Sequence, residues 1–312
     1  MEREGVAGGF RPLPRAAGSA AARLARFALE RFPPAAYGPL IAALALCGTA
    51  SAALDRGEPL RVGWDQVWVA IAAGLAFLQL RALDELRDEA ADRLARPERP
   101  LPRGLVSRAE LRALAATAAI AGVLLAAILG PAALACYGLA IGQVWLLDFL
   151  DERRPSALRG MVGTALLHSG IVPAVLLMGW ATIAVPAASA PLAAALLLVW
   201  GAGLVLEIGR KTVTAGEERP GIATYSAALG RPRALALLAL FVMVTGAAAA
   251  VLALVSGTSV LIVALPLAGA LAASAGLVGM GDRIATRSIK AGVPLAVLAA
   301  LLAPVLLADG LR

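Results

Sequence analysis

Three aspartates, Asp84, Asp88 and Asp92, recur at four-residue intervals at the end of an apolar stretch. At about 100° per residue, an i, i+4, i+8 series falls within roughly an 80° arc of one helical face. Carboxylates held so close repel one another unless something cationic sits among them, either a divalent metal or a row of arginines. The run that follows, Arg96-Pro97-Glu98-Arg99-Pro100-Leu101-Pro102-Arg103-Gly104, ends the helix with its prolines and places cations beside the acids.

The theme recurs once. Glu207, Arg210 and Lys211 share a helical face at i, i+3 and i+4, and Glu217 and Glu218 add two carboxylates before Gly221. Two acidic clusters on one side of a molecule, each with its own cations, suit an anionic ligand bridged by Mg²⁺. Carboxylates take the metal, and Arg and Lys take the free phosphate oxygens. The plainer alternative is a pair of solvated loops whose charges neutralise one another. Two matching loops, with acids running into the helix ends, favour a site.

The elements that must position these loops are membrane helices. Of the residues, 60% are hydrophobic and 16% charged, the balance of an integral membrane protein. Uncharged runs cover Phe32–Leu54, Gln66–Leu80, Ala113–Leu147, Gly160–Leu206, Ala234–Gly281 and Ala291–Ala308. Three are long enough for two helices each, broken at Gly130-Pro131, between Pro186 and Pro191, and at Ser256-Gly257-Thr258-Ser259. The expected fold is all-α: nine transmembrane helices around a central cavity capped by cytoplasmic loops. The second span is short and must take in Asp65 or Arg81 at an end.

Nine spans with the N-terminus inside put all of the 28 Lys and Arg except Arg56, Arg61 and Arg312 on the cytoplasmic side. Residues 1–31 lack the apolar core of a signal peptide. Their Arg23, Arg26 and Arg31, interspersed with Leu and Phe, read as an amphipathic lead-in on the cytoplasmic surface. Residues 32–312 form the transmembrane domain. The net charge of +7 follows from topology and contact with anionic lipid, with no call on nucleic acid. Cys47 and Cys136 lie in apolar spans and there is one histidine, so neither a disulfide framework nor a Cys/His metal centre is expected.

On these residues the chain resembles the UbiA superfamily of intramembrane prenyltransferases. That family's first motif, N-x-x-x-D-x-x-x-D followed by K/R-P-x-R-P-L-P-x-G, is similar to Asp84, Asp88 and Asp92 followed by Arg96 to Gly104. The segment DERRPSALRGMVGTALLHSGIVP, from Asp151 to Pro173, is similar to the family's R-R-P segment leading into helix five. There are departures. Asp84 stands where Asn is usual. Glu207, Arg210, Lys211, Glu217 and Glu218, then Gly221 to Ser226, stand near a second motif usually written D-x-x-x-D. Leu147, Asp148, Asp151 and Glu152 precede Arg153, where Tyr and Lys are common.

The resemblance implies an Mg²⁺-dependent transferase in the bacterial inner membrane, with its active site opening to the cytoplasmic side. Asp84, Asp88 and Asp92 would hold Mg²⁺ on one side, and Glu207 with Glu217 or Glu218 on the other. Arg96, Arg99, Arg210 and Lys211 would neutralise the diphosphate of an isoprenyl donor. The donor ionises to an allylic cation, which a lipophilic, mostly aromatic acceptor attacks. A membrane terpene cyclase, with the same donor and no acceptor, is the alternative within the superfamily. A CDP-alcohol phosphotransferase would need D-G-x-x-A-R, which is missing, and a transporter would carry charges near mid-membrane. Among other polar residues, His168 reads as packing and Gln143 as cavity lining. Asp148 reads as a salt-bridge partner of Arg153 or Arg154, and Tyr225 as a cation stabiliser or loop cap. Trp145, Trp180 and Trp200 read as interfacial anchors before cavity lining, though the composition fits both.

Overall fold

The computed structural model describes residues 18–153, 161–257 and 260–310. The described residues are helical, joined by loops and short 3₁₀ turns. In chain order the helices are α1 (Ala20–Arg31), α2 (Pro34–Arg56), α3 (Trp64–Arg87), α4 (Glu89–Ala95), α5 (Arg108–Leu129), α6 (Pro131–Arg153), α7 (Met161–His168), α8 (Ile171–Trp180), α9 (Ala190–Arg210), α10 (Tyr225–Leu229), α11 (Arg231–Val255), α12 (Val260–Met280) and α13 (Thr286–Gly310).

Seven segments are long and apolar enough to cross a membrane: α2, α3, α5, the α7–α8 stretch from Gly163 to Trp180, α9, α11 and most of α13. Helices α6 and α12 have 23 and 21 residues, but their described apolar parts, Pro131–Leu147 and Ala268–Met280, are shorter. The structure therefore supports seven spans by this standard against the nine expected. The expected breaks all fall between helices: α5 ends before Pro131, α8 and α9 flank residues 186–189, and α11 ends at Val255. Helix α3 takes in both Asp65 and Arg81, because charges at the two ends of a span can reach the interface.

Small residues set the packing. With no water to squeeze out between helices in lipid, close backbone approach and van der Waals contact drive association. Helix α2 packs on α3, α8, α9 and α13. At the α2–α8 crossing a Cβ on Gly48 would lie 2.2 Å from the Leu176 carbonyl oxygen, and one on Gly179 would lie 2.5 Å from that of Ala45. The Thr49 hydroxyl donates across the same crossing to the Gly179 carbonyl at 3.1 Å. Cys47 and Cys136 are both free and buried.

Helix α1 does more than border the bundle. It starts at the Ser19 cap and buries Phe27 completely, in an apolar cluster with Ala82, Leu101, Leu105, Val106, Leu111 and Ala115. The amphipathic pattern expected to face lipid headgroups thus faces protein on its apolar side.

Candidate functional site

The aspartate series spans a joint. Helix α3 stops at Arg87, α4 starts at Glu89, and Asp88 sits between them at φ −79°, ψ −5°. The i→i−4 pattern nevertheless carries through. The Asp88 N–H donates to the Asp84 carbonyl at 2.8 Å, Asp92 to Asp88 at 2.9 Å, and Arg96 to Asp92 at 2.8 Å. The three side chains have different fates. Asp92 is only 2% exposed, accepts a hydrogen bond from Arg99, and has Arg96 at 3.9 Å. Asp84 pairs with Arg87 at 3.0 Å and lies 3.9 Å from Nε2 of His168. Asp88 is 53% exposed, with Arg99 at 3.8 Å. Desolvation by the surrounding protein and repulsion from Asp84 and Asp92 raise its pKa, while Arg99 and Lys211 oppose the rise.

Two arginines on the same loop face these acids. Desolvation, then repulsion from Arg99, Arg219 and Arg31, lowers the Arg96 pKa against the pull of Asp92. A guanidinium crowded by others gains from any anion that arrives. Nearby, Glu89 accepts from Arg93 and from Arg108 (2.5 Å). These bonds outweigh desolvation and hold its pKa below the usual carboxylate range.

The second cluster meets the first. Glu207 accepts from Arg210 and Lys211, each at 2.6 Å. The Lys211 charge reaches Asp88, and the Asp84 charge reaches Arg210. Arg219 closes the gap physically, pairing with Glu98 at 3.2 Å and donating to the Ala95 carbonyl at 3.4 Å. Both charged loops therefore stand at the same end of the bundle, in contact.

The remaining acids are used locally. Glu217 accepts from the Thr214 hydroxyl at 2.7 Å. Hydrogen bonds involving Thr286 and Thr214 hold its carboxyl at about 2. Glu218 accepts from the Thr224 hydroxyl at 2.6 Å, and its other oxygen is buried without a partner among the described residues. Thr224 in turn caps α10 through the Ala227 N–H at 3.1 Å. The structure thus brings together Asp84, Asp88, Asp92, Arg96, Arg99, Glu207, Arg210 and Lys211. Glu217 instead makes its contacts with a threonine pair. Among the described residues, no three Asp, Glu, His or Cys side chains converge on one point in the manner of a preformed metal cage.

One element was not anticipated. The apolar span from Gly163 to Trp180 is broken at Ser169-Gly170, between α7 and α8. The Trp200 indole N–H donates to the Leu166 carbonyl at 3.2 Å, and the Gln143 amide donates to that of Leu167, so the break does not leave them unpaired in lipid. Gly170 leaves room there for the Gln143 amide, which a Cβ would displace from its bond to the Leu167 carbonyl. One side of the break presents His168 to Asp84. The other lines a largely apolar cavity of about 790 Å³, together with Gly138, Gly142, Leu146 and Trp200. Gly170 followed by Pro173 inside an apolar run is the sequence signal for such a break.

Of the expected anchors, Trp145 is exposed, whereas Trp180 is buried in the core and Trp200 works at the break. Tyr225 is buried, and its hydroxyl donates to the Met161 carbonyl at 3.2 Å. The expected pairing of Asp148 with Arg153 or Arg154 lies outside the described side chains, as does the Arg-Arg-Pro segment.

Comparison with known proteins agrees with this architecture. A solved digeranylgeranylglyceryl phosphate synthase superposes with a TM-score of 0.62 at 15% identity, over 92% of this chain and 99% of that one. The apo structure of a UbiA homologue from Aeropyrum pernix K1 superposes with a TM-score of 0.59 at 21% identity, over 84% of this chain and 96% of that one. At such identities the likeness shows a shared fold. No curated protein sequence matches the chain. The model of the UbiA prenyltransferase family matches residues 36–306, which takes in both charged loops and the helices that carry them. The chain belongs to the UbiA prenyltransferase family and is a prenyltransferase with membrane-type helices.

Proposed function

We propose that the enzyme binds an allylic isoprenyl diphosphate where the two charged loops meet and transfers its prenyl group to a lipophilic acceptor in the membrane. The observation that carries this reading is the meeting of the two charged loops, where Arg219 of one pairs with Glu98 of the other at 3.2 Å and donates to the Ala95 carbonyl at 3.4 Å. Arg96 and Arg99 stand beside Asp92 in the first loop, and Arg210 and Lys211 beside Glu207 at the start of the second. Separated acids among surplus cations suit a diphosphate better than a bare metal.

Mg²⁺ fits this donor set. The candidate ligands are all hard oxygens, and Asp88 is open and crowded by like charge. Mg²⁺ is commonly held by one or two carboxylates with the rest of its shell from phosphate and water, so a three-acid cage is not needed. Asp84, Asp88 and Glu207 would hold it, with Asp92 next along the same series and Glu218 in the second loop. When bound, it would neutralise phosphate charge and make diphosphate a better leaving group.

The chain's own residues do the rest. Arg96, Arg99, Arg210 and Lys211 take diphosphate oxygens and stabilise the charge that grows as the C1–O bond breaks and its electron pair leaves with the diphosphate. Asp92 holds Arg99 in place for that task. The acceptor's nucleophilic atom then bonds to C1 of the allylic cation and loses its proton. Apolar helices exclude water, which would otherwise quench the cation. With α6 and α12 counted to make nine spans, the Lys and Arg distribution favours this end of the bundle facing the cytoplasm.

The test is diphosphate release by membranes containing the protein, supplied with C10, C15 and C20 allylic diphosphates, with and without aromatic and quinone-precursor acceptors. The reading expects Mg²⁺-dependent release that requires an acceptor and is abolished by EDTA. Release without acceptor, yielding a cyclic hydrocarbon or alcohol, would make the enzyme a cyclase instead.

A further inference from the structure

The loop that carries Arg96 and Arg99 is a run of turns from Pro97 to Val106, closed by its own backbone hydrogen bonds, Arg103 to Arg99 at 3.0 Å and Leu105 to Pro100 at 2.9 Å among them. Asp92 holds Arg99, and side-chain contacts from another element fix the rest of the loop to the bundle. Helix α1 makes contact before, within and after that loop. Before it, Arg31 donates to Glu85 at 2.9 Å. Glu85 directly follows Asp84, is fully buried, and is shared with Arg81 at 3.3 Å. Within it, Glu30 accepts from Arg103 through both carboxylate oxygens, each at 2.7 Å. Where it ends, Arg23 pairs with Glu110, which closes the capping box on Ser107 at the start of α5. Phe27 is buried in one cluster with Leu101, Leu105 and Val106 of the loop itself.

Arg31 also stands near enough for its charge to act on Arg96. The helix thus holds the loop's course and adds to the positive field that an incoming anion meets. A surface lead-in would need none of these contacts.

We propose that helix α1 is a strap that positions the diphosphate-binding arginines, with Phe27, Glu30 and Arg31 as positioning residues. This rests on the reading of the two loops as a diphosphate site. Losing the strap costs donor affinity first, because Arg96 and Arg99 must then be ordered at the expense of binding free energy.

The experiment measures binding of inorganic diphosphate with Mg²⁺ to the detergent-solubilised full chain by calorimetry, alongside thermal melting. The expected result for Phe27→Ala and Glu30→Gln is a Kd raised about tenfold, on the order of one lost charge-assisted contact. Phe27→Leu and Glu30→Asp should recover most of the affinity. Turnover at saturating donor should fall much less than KM rises. Two outcomes overturn the strap. One is an unchanged Kd in folded Phe27→Ala and Glu30→Gln proteins. The other is a loss that tracks melting alone and is not recovered by the conservative variants. Failure of the wild-type chain itself to bind diphosphate would instead remove the site reading on which the strap depends.

Discussion

Asp88 and Asp92 are one helical turn apart, yet their neutralisation should have opposite signatures. Asp92 is 2% exposed and bound to Arg99, itself only 13% exposed. Asp92→Asn strands that guanidinium in a desolvated place, and breaking a buried pair from one side costs about 3–5 kcal/mol. Arg96, 3.9 Å away, loses its counter-charge as well. Asp88 is 53% exposed and 3.8 Å from Arg99, a loose pair worth about 0–1 kcal/mol. Its charge is also opposed by Asp84 and Asp92, so Asp88→Asn relieves repulsion and should leave melting unchanged or slightly raised. Turnover inverts the order of interest. Asp88→Asn should cut diphosphate release about 10²–10³-fold in a well-folded protein, the scale of losing one preorganised electrostatic group. Asp92→Asn should lose activity and stability together. The assay is thermal melting in detergent paired with release kinetics on the same samples. Equal melting of both variants, or substantial turnover in Asp88→Asn, would refute the division of labour argued above.

Other perturbations follow from particular contacts. Gly48→Val must part α2 from α8, since even a Cβ would meet the Leu176 oxygen at 2.2 Å; a loss of about 1–3 kcal/mol or more is expected in melting, and wild-type stability would contradict the close crossing. Hydrogen bonds from Arg103 and Arg26 outweigh desolvation and hold the Glu30 pKa below its ordinary 4.5. The folded chain therefore binds fewer protons than the unfolded one, and this contribution is present above 4.5 and lost as pH falls through the lowered value. Amide protection factors of residues 20–31, corrected for the intrinsic exchange rate at each pH, should fall on acidification in the wild type, and Glu30→Gln should lack that acid-dependent step. Arg219→Ala should move melting by less than about 1 kcal/mol, because the pair with Glu98 is exposed on both sides; a large loss would mean that the loops depend on it.

The sequence made the chemistry legible because its signals are local. The four-residue spacing of Asp84, Asp88 and Asp92 survives the joint at Asp88, since the backbone bonds continue across it. The Gly130-Pro131 break separates α5 from α6 for covalent reasons, and Pro191 sits in the first turn of α9, where a proline is tolerated, so both are readable directly. What was not legible depends on contacts between distant segments. His168 reads as a packing residue until the fold sets it 3.9 Å from Asp84, and the break beside it at Ser169-Gly170 has its freed carbonyls met by side chains from α6 and α9. An amphipathic helix has the same pattern whether its apolar face meets lipid or protein, so burial of Phe27 could not be read from residues 20–31. Trp180 likewise has an anchor's composition and a core position. Glu217 carries the charge of a metal ligand, but its hydrogen bonds go to Thr214 and Thr286, 72 residues apart in sequence.

The most direct test of the central claim is to locate the diphosphate and its metal. The protein would be solved with a non-ionisable allylic thiolodiphosphate and Mn²⁺, whose anomalous scattering marks the ion. The account predicts metal against Asp88 with Asp84 or Glu207, and phosphate oxygens on Arg96, Arg99 and Lys211. Diphosphate bound elsewhere, or bound here with no metal near either acidic cluster, would contradict it.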